Sequence, residues 1–253
     1  MTIAMQAKSL AKRAFDAIGV EVQLKPYRTA LPEIPEDKWQ LIQACAPYTM
    51  TTPQRQWALL TSVEHIDRHG IPGDIVECGV WRGGNMMLAR LARKINTPFR
   101  RYRLFDTFLG MSEPTPIDVS FTGEPARVEF DANARSDRND WCYASREDVE
   151  RNLASIGLHD AILCQGRVED TLREPANLPD RIALLRLDTD WYESTAVELE
   201  VLYPRLSPGG VLIIDDYGHW QGARRAVDEY FGDKPPLLIA VDYTCRVATK
   251  PAA

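Results

Sequence analysis

Leu184-Leu185-Arg186-Leu187 runs into Asp188-Thr189-Asp190, and Val211-Leu212-Ile213-Ile214 runs into Asp215-Asp216-Tyr217. Between these two apolar runs lies a helical pattern from Ser194 to Tyr203, then a turn, Ser207-Pro208-Gly209-Gly210. Strand, helix, strand with a short return is the parallel βαβ unit, whose strands end on one edge of the sheet. Open α/β sheets bind their ligands at that carboxyl edge, so the two acidic clusters are expected to meet where a ligand sits. Carboxylates gathered so closely repel unless one is protonated or a cation lies among them. Oxygen donors favour a hard cation, Mg²⁺ first. Asp190 and Asp216 also suit helix caps or solvated loops, the ordinary places for Asp.

Working outward, strands and helices alternate from Gly73 onward. Asp74–Cys78 reads as the first strand, Arg103–Phe105 as the second with Asp106 at its end, and Ala161–Cys164 as the third, followed by Gln165-Gly166. The opening pair supplies the fourth and fifth. A helix over Gln221–Phe231 precedes a terminal hairpin of Leu237–Val241 and Cys245–Ala248. The expectation is an α/β fold: a mostly parallel seven-stranded sheet ending in an antiparallel hairpin. The front third, residues 1–70, carries no strand pattern. An amphipathic segment over 1–20, a Pro-rich passage from Pro26 to Pro35, a helix over Lys38–Ala44 and another from Pro53 to His69 read as a helical cap. Residues 71–253 form the sheet domain, interrupted at 107–145 by an insertion rich in Pro and polar residues. Loops of that length in compact domains serve as lids or binding elements, or else as mobile surface insertions.

Composition narrows the function. The 253 residues carry a net charge of −6 with no basic block, which argues against a nucleic-acid track. The apolar runs are strand-sized, and neither a membrane span nor a signal peptide is legible. Five scattered cysteines without C-x-x-C fit reduced thiols in a cytoplasmic protein. Four dispersed histidines do not make a His-based metal site. The amphipathic N-terminus suits packing on the domain or self-association with a second subunit.

Glu77-Cys78-Gly79-Val80-Trp81-Arg82-Gly83-Gly84 is a glycine-rich turn from strand to helix. It is neither G-x-G-x-x-G nor a P-loop. Glu77 at the first strand end would repel a pyrophosphate but suits a cationic amine. Asp106 at the second strand end can take ribose hydroxyls. The expected ligand therefore has a ribose and a positive amine but no phosphate, and S-adenosylmethionine fits that description. Tyr48-Thr49-Met50 either closes over it or simply packs as a loop, and Trp81 and Arg82 either frame it or pack the turn.

The segments Gly73–Gly84, Asp106-Thr107-Phe108-Leu109-Gly110, Leu185–Asp190 and Tyr203–Tyr217 together resemble the macrocin/mycinamicin O-methyltransferase (TylF/MycF-like) family over about Tyr48–Phe231. The resemblance implies a Rossmann-like class I methyltransferase that uses S-adenosylmethionine and Mg²⁺ to methylate a sugar hydroxyl on a glycosylated natural product. It implies metal binding by Asp188, Asp215 and Asp216, with Asp188 also the base, and cofactor contacts at Glu77 and Asp106. The cofactor set is completed by Thr49, Met50, Gly79, Trp81, Arg82, Gly83, Thr107, Gly166 and Asp188. His219, just beyond Asp215-Asp216-Tyr217, is the alternative base or an acceptor-holding loop residue. A related branch carries a histidine three residues after the first metal aspartate; Trp191 stands there in this chain. The insertion 111–141 matches no one member closely, so the small-molecule acceptor stays open between a glycoside and a catechol-like compound. A nicotinamide oxidoreductase is disfavoured by Glu77 and the missing G-x-G-x-x-G. A non-catalytic cofactor-binding protein is disfavoured by the complete acidic cluster.

Overall fold

The computed structural model describes residues 31–94 and 97–252. The amphipathic segment over 1–20 and most of the Pro26–Pro35 passage lie outside the described residues. Residues 31–35 make a single turn. Glu36–Ala253 form one compact unit.

Two helices come first, α1 (Glu36–Cys45) and α2 (Pro53–Arg68). Pro53 sits in the first turn of α2, where its missing N–H costs nothing, and the Thr52 hydroxyl caps the helix by accepting from Arg55 N at 3.3 Å. The alternating part follows: β1 (Asp74–Cys78), α3 (Gly84–Ala92), β2 (Tyr102–Asp106), α4 (Ala126–Asn133), α5 (Arg146–Ser155), β3 (Ile162–Gln165), the single turn α6 (Val168–Thr171), β4 (Ile182–Leu187), α7 (Tyr192–Leu202), β5 (Leu206–Ile214), α8 (Gln221–Phe231), β6 (Ile239–Ala240) and β7 (Arg246–Thr249). The seven strands lie in the order β3-β2-β1-β4-β5-β7-β6. β1 to β5 pair in parallel, and β7 runs antiparallel to β5 and to β6. The expected sheet, including its terminal antiparallel hairpin, is present.

The order of strand addition reverses between β1 and β4, which makes their shared carboxyl end the switch point of the sheet. Helices cover both faces, so the central strands are apolar almost throughout. α2 packs on β4, β5 and α3, while α7 packs on β4 and α8. Val76, Cys78, Leu185, Leu187, Leu212 and Ile214 form one core layer with α7 and α8. The alternate positions, Glu77 and Arg186, therefore point to the opposite face, and they are register partners.

Three local expectations differ from the structure. Ser207–Gly210 was expected as a turn before the fifth strand, yet it is part of β5. Gly209 N donates to Lys250 O and Lys250 N donates to Gly210 O, so the C-terminal segment draws it into the sheet. The sixth strand is two residues long because Pro235 and Pro236 precede it and it lies at the sheet edge. The 107–145 insertion is not a loose loop. It contains α4 and a tight turn closed by the Val119–Pro125 bridge, and it is joined to the α8 entry through a Ser120–Trp220 bridge. Trp191 and Trp220 stack edge to face at 5.0 Å, Trp141 packs on both, and Ala126 and Ala223 complete a small second core. Among the described residues, no helix is long and apolar enough to cross a membrane.

Candidate active site

The carboxyl ends of β1, β2, β4 and β5 open into one cleft of about 380 Å³. Parallel pairing brings them level: Gly79 N donates to Phe105 O, Asp188 N to Cys78 O and Asp215 N to Leu187 O, each at 2.9 Å. Asp188, Asp215 and Asp216 each offer a carboxylate oxygen, and these oxygens all lie within 4.8 Å of one another. Asp190 joins them on the cleft wall. Asp190 has φ of +69°, and its backbone N–H donates to Asp216 Oδ2 at 3.3 Å.

Asp190 does not cap α7. That helix starts at Tyr192, whose N–H donates at 2.8 Å to Asp118 Oδ1 from the insertion. Asp118 is buried and also accepts from Thr115 N and Oγ1, so it ties the insertion to the loop carrying Asp188 and Asp190.

Two arginines that the sequence reading had not assigned set the electrostatics. Arg186, fully buried in β4, donates from Nη1 to Glu77 Oε1 (2.9 Å) and Asp188 Oδ2 (2.6 Å), and from Nη2 to Asp215 Oδ1 (2.6 Å). Arg55, in the first turn of α2, donates from Nη1 to Asp215 Oδ2 and from Nε to Asp242 Oδ2 (2.7 Å). Both oxygens of Asp215 are thus paired with guanidinium groups, and one oxygen of Asp188 is. Asp216 has no arginine partner among these contacts and is buried, and burial with the neighbouring acids holds its pKa well above the carboxylate range. Burial likewise lifts Asp188, against the pull of Arg186, and brings Asp190 up to about 6. The signal for Arg186 was a lone charge inside an apolar strand, since an unpaired Arg is almost never buried. Arg55 carried no such signal, because its partners are remote in sequence.

The glycine turn after β1 is built differently from its expected use. A Cβ on Gly79 would stand 1.8 Å from Asp188 O, so this glycine lets the β1 and β4 ends close together while its backbone lines the cleft. A Cβ on Gly84 would meet the Tyr48 backbone at 2.5 Å, which seats the 48–51 segment on the start of α3. Val80 N (2.7 Å), Trp81 N (3.2 Å) and Phe108 N (2.7 Å) all donate to Asp106, pinning the β1 and β2 turns to one carboxylate that still faces the cleft.

Glu77 lies behind the cleft wall, fully buried, with its pKa pushed up to about 7 by burial. Asn85 stands between it and the cleft, donating to Glu77 Oε1 at 3.2 Å and accepting from the Thr49 and Thr51 hydroxyls. Glu77 Oε2 is buried without a partner. Thr49, Met50, Gly79, Trp81, Asp106 and Asp188 line the cleft. Arg82 and Gly83 do not: Arg82 points outward to Pro47 O and Asp148, and Gly83 sits against Val149 and Leu153 at the start of α3. Thr107 and Gly166 line an adjoining recess that shares Gly79, Asp106 and Asp188 with the main cleft.

His219 follows β5 on the cleft rim, where its Nδ1 shares a 3.2 Å hydrogen bond with the Tyr243 hydroxyl. Burial, then the Arg55 charge, lowers its pKa, which favours the neutral ring. Asn85, Thr51 and Tyr243 complete a lining that sequence reasoning had not assembled.

The chain matches the family model described as macrocin-O-methyltransferase (TylF) over residues 31–247. It is 38% identical over 188 residues to the 8-demethyl-8-(2,3-dimethoxy-alpha-L-rhamnosyl)-tetracenomycin-C 4'-O-methyltransferase of Streptomyces olivaceus, spanning 73% of this chain and 68% of that one. It is 36% identical over 186 residues to the mycinamicin III 3''-O-methyltransferase of Micromonospora griseorubida, spanning 72% and 70%. Among solved structures, the O-methyltransferase NovP aligns with a TM-score of 0.67 at 32% identity, covering 81% of this chain and 83% of that one.

Proposed function

The chain belongs to the macrocin O-methyltransferase (TylF) family and is an S-adenosylmethionine-dependent O-methyltransferase, and we propose that it methylates a sugar hydroxyl of a glycosylated natural product with the help of Mg²⁺. The observation that carries this reading is the convergence of Asp188, Asp215 and Asp216 in an open cleft at the switch point of the sheet.

The lining fits a cationic methyl donor. It is rich in carboxylates, and Asp106 can accept from ribose hydroxyls. The same residues fit a divalent cation. Arg55 and Arg186 together do not balance Asp188, Asp190, Asp215 and Asp216, and all the candidate donors are oxygens, as a hard cation prefers. Asp188, Asp215 and Asp216 would hold Mg²⁺, which when bound supplies positive charge that lowers the pKa of a sugar hydroxyl beside it.

Methyl transfer forms an O–C bond and breaks the C–S bond of the sulfonium, and the hydroxyl proton must go to a base. Asp188 is suited to take it. One of its oxygens is fixed by Arg186, the side chain keeps 27% of its surface open, and burial raises its proton affinity. His219 on the rim is the second acceptor for that proton. Arg186 and Arg55 hold Asp215 rigidly, which preorganises the acidic floor. Thr49 and Met50 close one wall, while Trp141 and Trp220 exclude water on the other.

The test is transfer of labelled methyl from S-adenosylmethionine to a panel of glycosides, with Mg²⁺ or with EDTA. Transfer to a sugar hydroxyl that stops with EDTA is the expected result. Metal-independent transfer, or transfer only to catechols, would overturn the reading.

A further inference from the structure

The floor of the cleft is acidic, but its mouth is apolar. Met50 is 59% exposed, Phe121 56% and Tyr243 49%, and they come from three separate segments: the loop before α2, the insertion, and the β6–β7 turn. Phe121 and Tyr243 are joined through His219 into a ring triad, with centroid separations of 5.5 Å (Phe121–His219), 5.9 Å (Phe121–Tyr243) and 5.9 Å (His219–Tyr243). Met50, His219 and Tyr243 line the cleft itself, and Phe121, outside that lining, adjoins the His219 and Tyr243 rings.

These rings are held in place rather than left as loose surface side chains. The turn carrying Phe121 is closed by Ser120 N to Glu124 O and Gly123 N to Ser120 O, and it is bridged to Trp220. Tyr243 is fixed by its hydroxyl to His219 Nδ1 and by the flanking Asp242, whose Oδ1 accepts from Thr244 N and Cys245 N and whose Oδ2 pairs with Arg55. Large aromatic surface left half in water is costly unless something covers it, and preordered rings bind flat partners with little further loss of entropy.

We propose that Phe121, His219 and Tyr243, tilted 60–76° to one another, form an aromatic platform that takes an aromatic aglycone by mixed edge-to-face and offset contacts, so that the preferred acceptor is an aryl glycoside whose sugar reaches the acidic floor while its aromatic ring lies on the rim. This rests on the sugar-methylating reading of the same cleft. It adds that the group beyond the sugar is planar and aromatic, and that the insertion contributes to its selection through Phe121. Edge-to-face and offset-stacked ring pairs supply the affinity, and the polar sugar supplies the depth.

The test uses paired probes, 4-nitrophenyl and methyl glycosides of the same sugars, titrated calorimetrically into protein saturated with S-adenosylhomocysteine. The 4-nitrophenyl member of a pair is expected to bind about tenfold more tightly than the methyl member. That ratio is expected to fall toward unity in Phe121→Ala and in Tyr243→Ala, and to persist in Tyr243→Phe, which keeps the ring. S-adenosylhomocysteine affinity measured in each variant reports whether the fold and donor site are intact. A wild-type ratio near unity, no binding of any pair, or a ratio that survives both alanine variants would overturn the platform. An aryl preference without methyl transfer to any of these sugars would contradict the proposed reaction and leave the platform standing.

Discussion

Asp188 and Arg186 are two positions apart on one strand end, and they divide the work of the site. Arg186 is 2% exposed and holds Glu77, Asp188 and Asp215 at once. Removing it strands three carboxylates in a buried setting, so Arg186→Met is expected to destabilise the fold by about 3–5 kcal/mol, read from urea unfolding. A loss below about 1 kcal/mol would mean that the network is not a structural element. Asp188→Asn keeps the shape but loses the proposed proton acceptor. It is expected to lower turnover by about 10²–10⁴-fold while S-adenosylhomocysteine binding stays at the wild-type level. Turnover equal to wild type would remove Asp188 from the base role. The aspartates were legible in the sequence because each ends an apolar run, and the strand pattern alone puts them on one edge. Arg186 was visible as a charge in such a run, yet two of its three partners, Glu77 and Asp215, come from the neighbouring strands, and only the register reveals them. Arg55 was hidden for a related reason: it sits at the start of a helix, and its partners Asp215 and Asp242 are joined to it only by tertiary packing.

At the scale of elements, the insertion and the α7 start are one device. Asp118 caps α7 from the insertion, and a Cβ at Gly222 in α8 would stand 2.1 Å from its Oδ1. Asp118→Ala is expected to cost about 1–2 kcal/mol of stability. It should also raise the acceptor KM more than it lowers kcat, because it frees the loop that shapes the cleft rim. Hydrogen exchange that stays unchanged across 112–145 in this variant would show that the insertion is anchored elsewhere. The βαβ units, the glycine turn and the helix bounds followed from hydrophobic period and capping residues, which are local properties. The insertion did not follow, since it is ordered by tryptophans contributed by the insertion, the β4–α7 loop and the α8 entry, and sequence period carries no sign of such long-range packing. Glu77 shows the same limit. Its place at the β1 end was legible, but its orientation behind Asn85 depends on which face β1 turns toward α3.

For the molecule as a whole, the buried acids make stability depend on pH. Burial raises Glu77 from 4.5 to about 7 and holds Glu198 well above its ordinary value. A raised carboxyl binds protons more tightly in the folded than in the unfolded chain, so stability falls as pH rises from the unfolded pKa through the folded one. Without metal, the urea midpoint is therefore expected to drop as pH rises from about 4.5 through about 7. Glu198 is a clean probe of this, since Thr189 Oγ1 donates to its Oε1 at 2.9 Å and a glutamine can still accept there. Glu198→Gln should match wild type at about pH 4, below the unfolded pKa, and exceed it at about pH 7. A variant less stable than wild type at both values would assign Glu198 an ionised, paired role instead.

The measurement that tests the central claim most directly is a titration of Mn²⁺, as a spectroscopic substitute for Mg²⁺, into the S-adenosylhomocysteine-loaded protein, followed by electron paramagnetic resonance. The account predicts a saturable bound signal that Mg²⁺ displaces and that Asp216→Asn and Asp188→Asn each weaken strongly, with S-adenosylhomocysteine affinity retained. No bound Mn²⁺ in the wild-type protein, or binding indifferent to both substitutions, would contradict it.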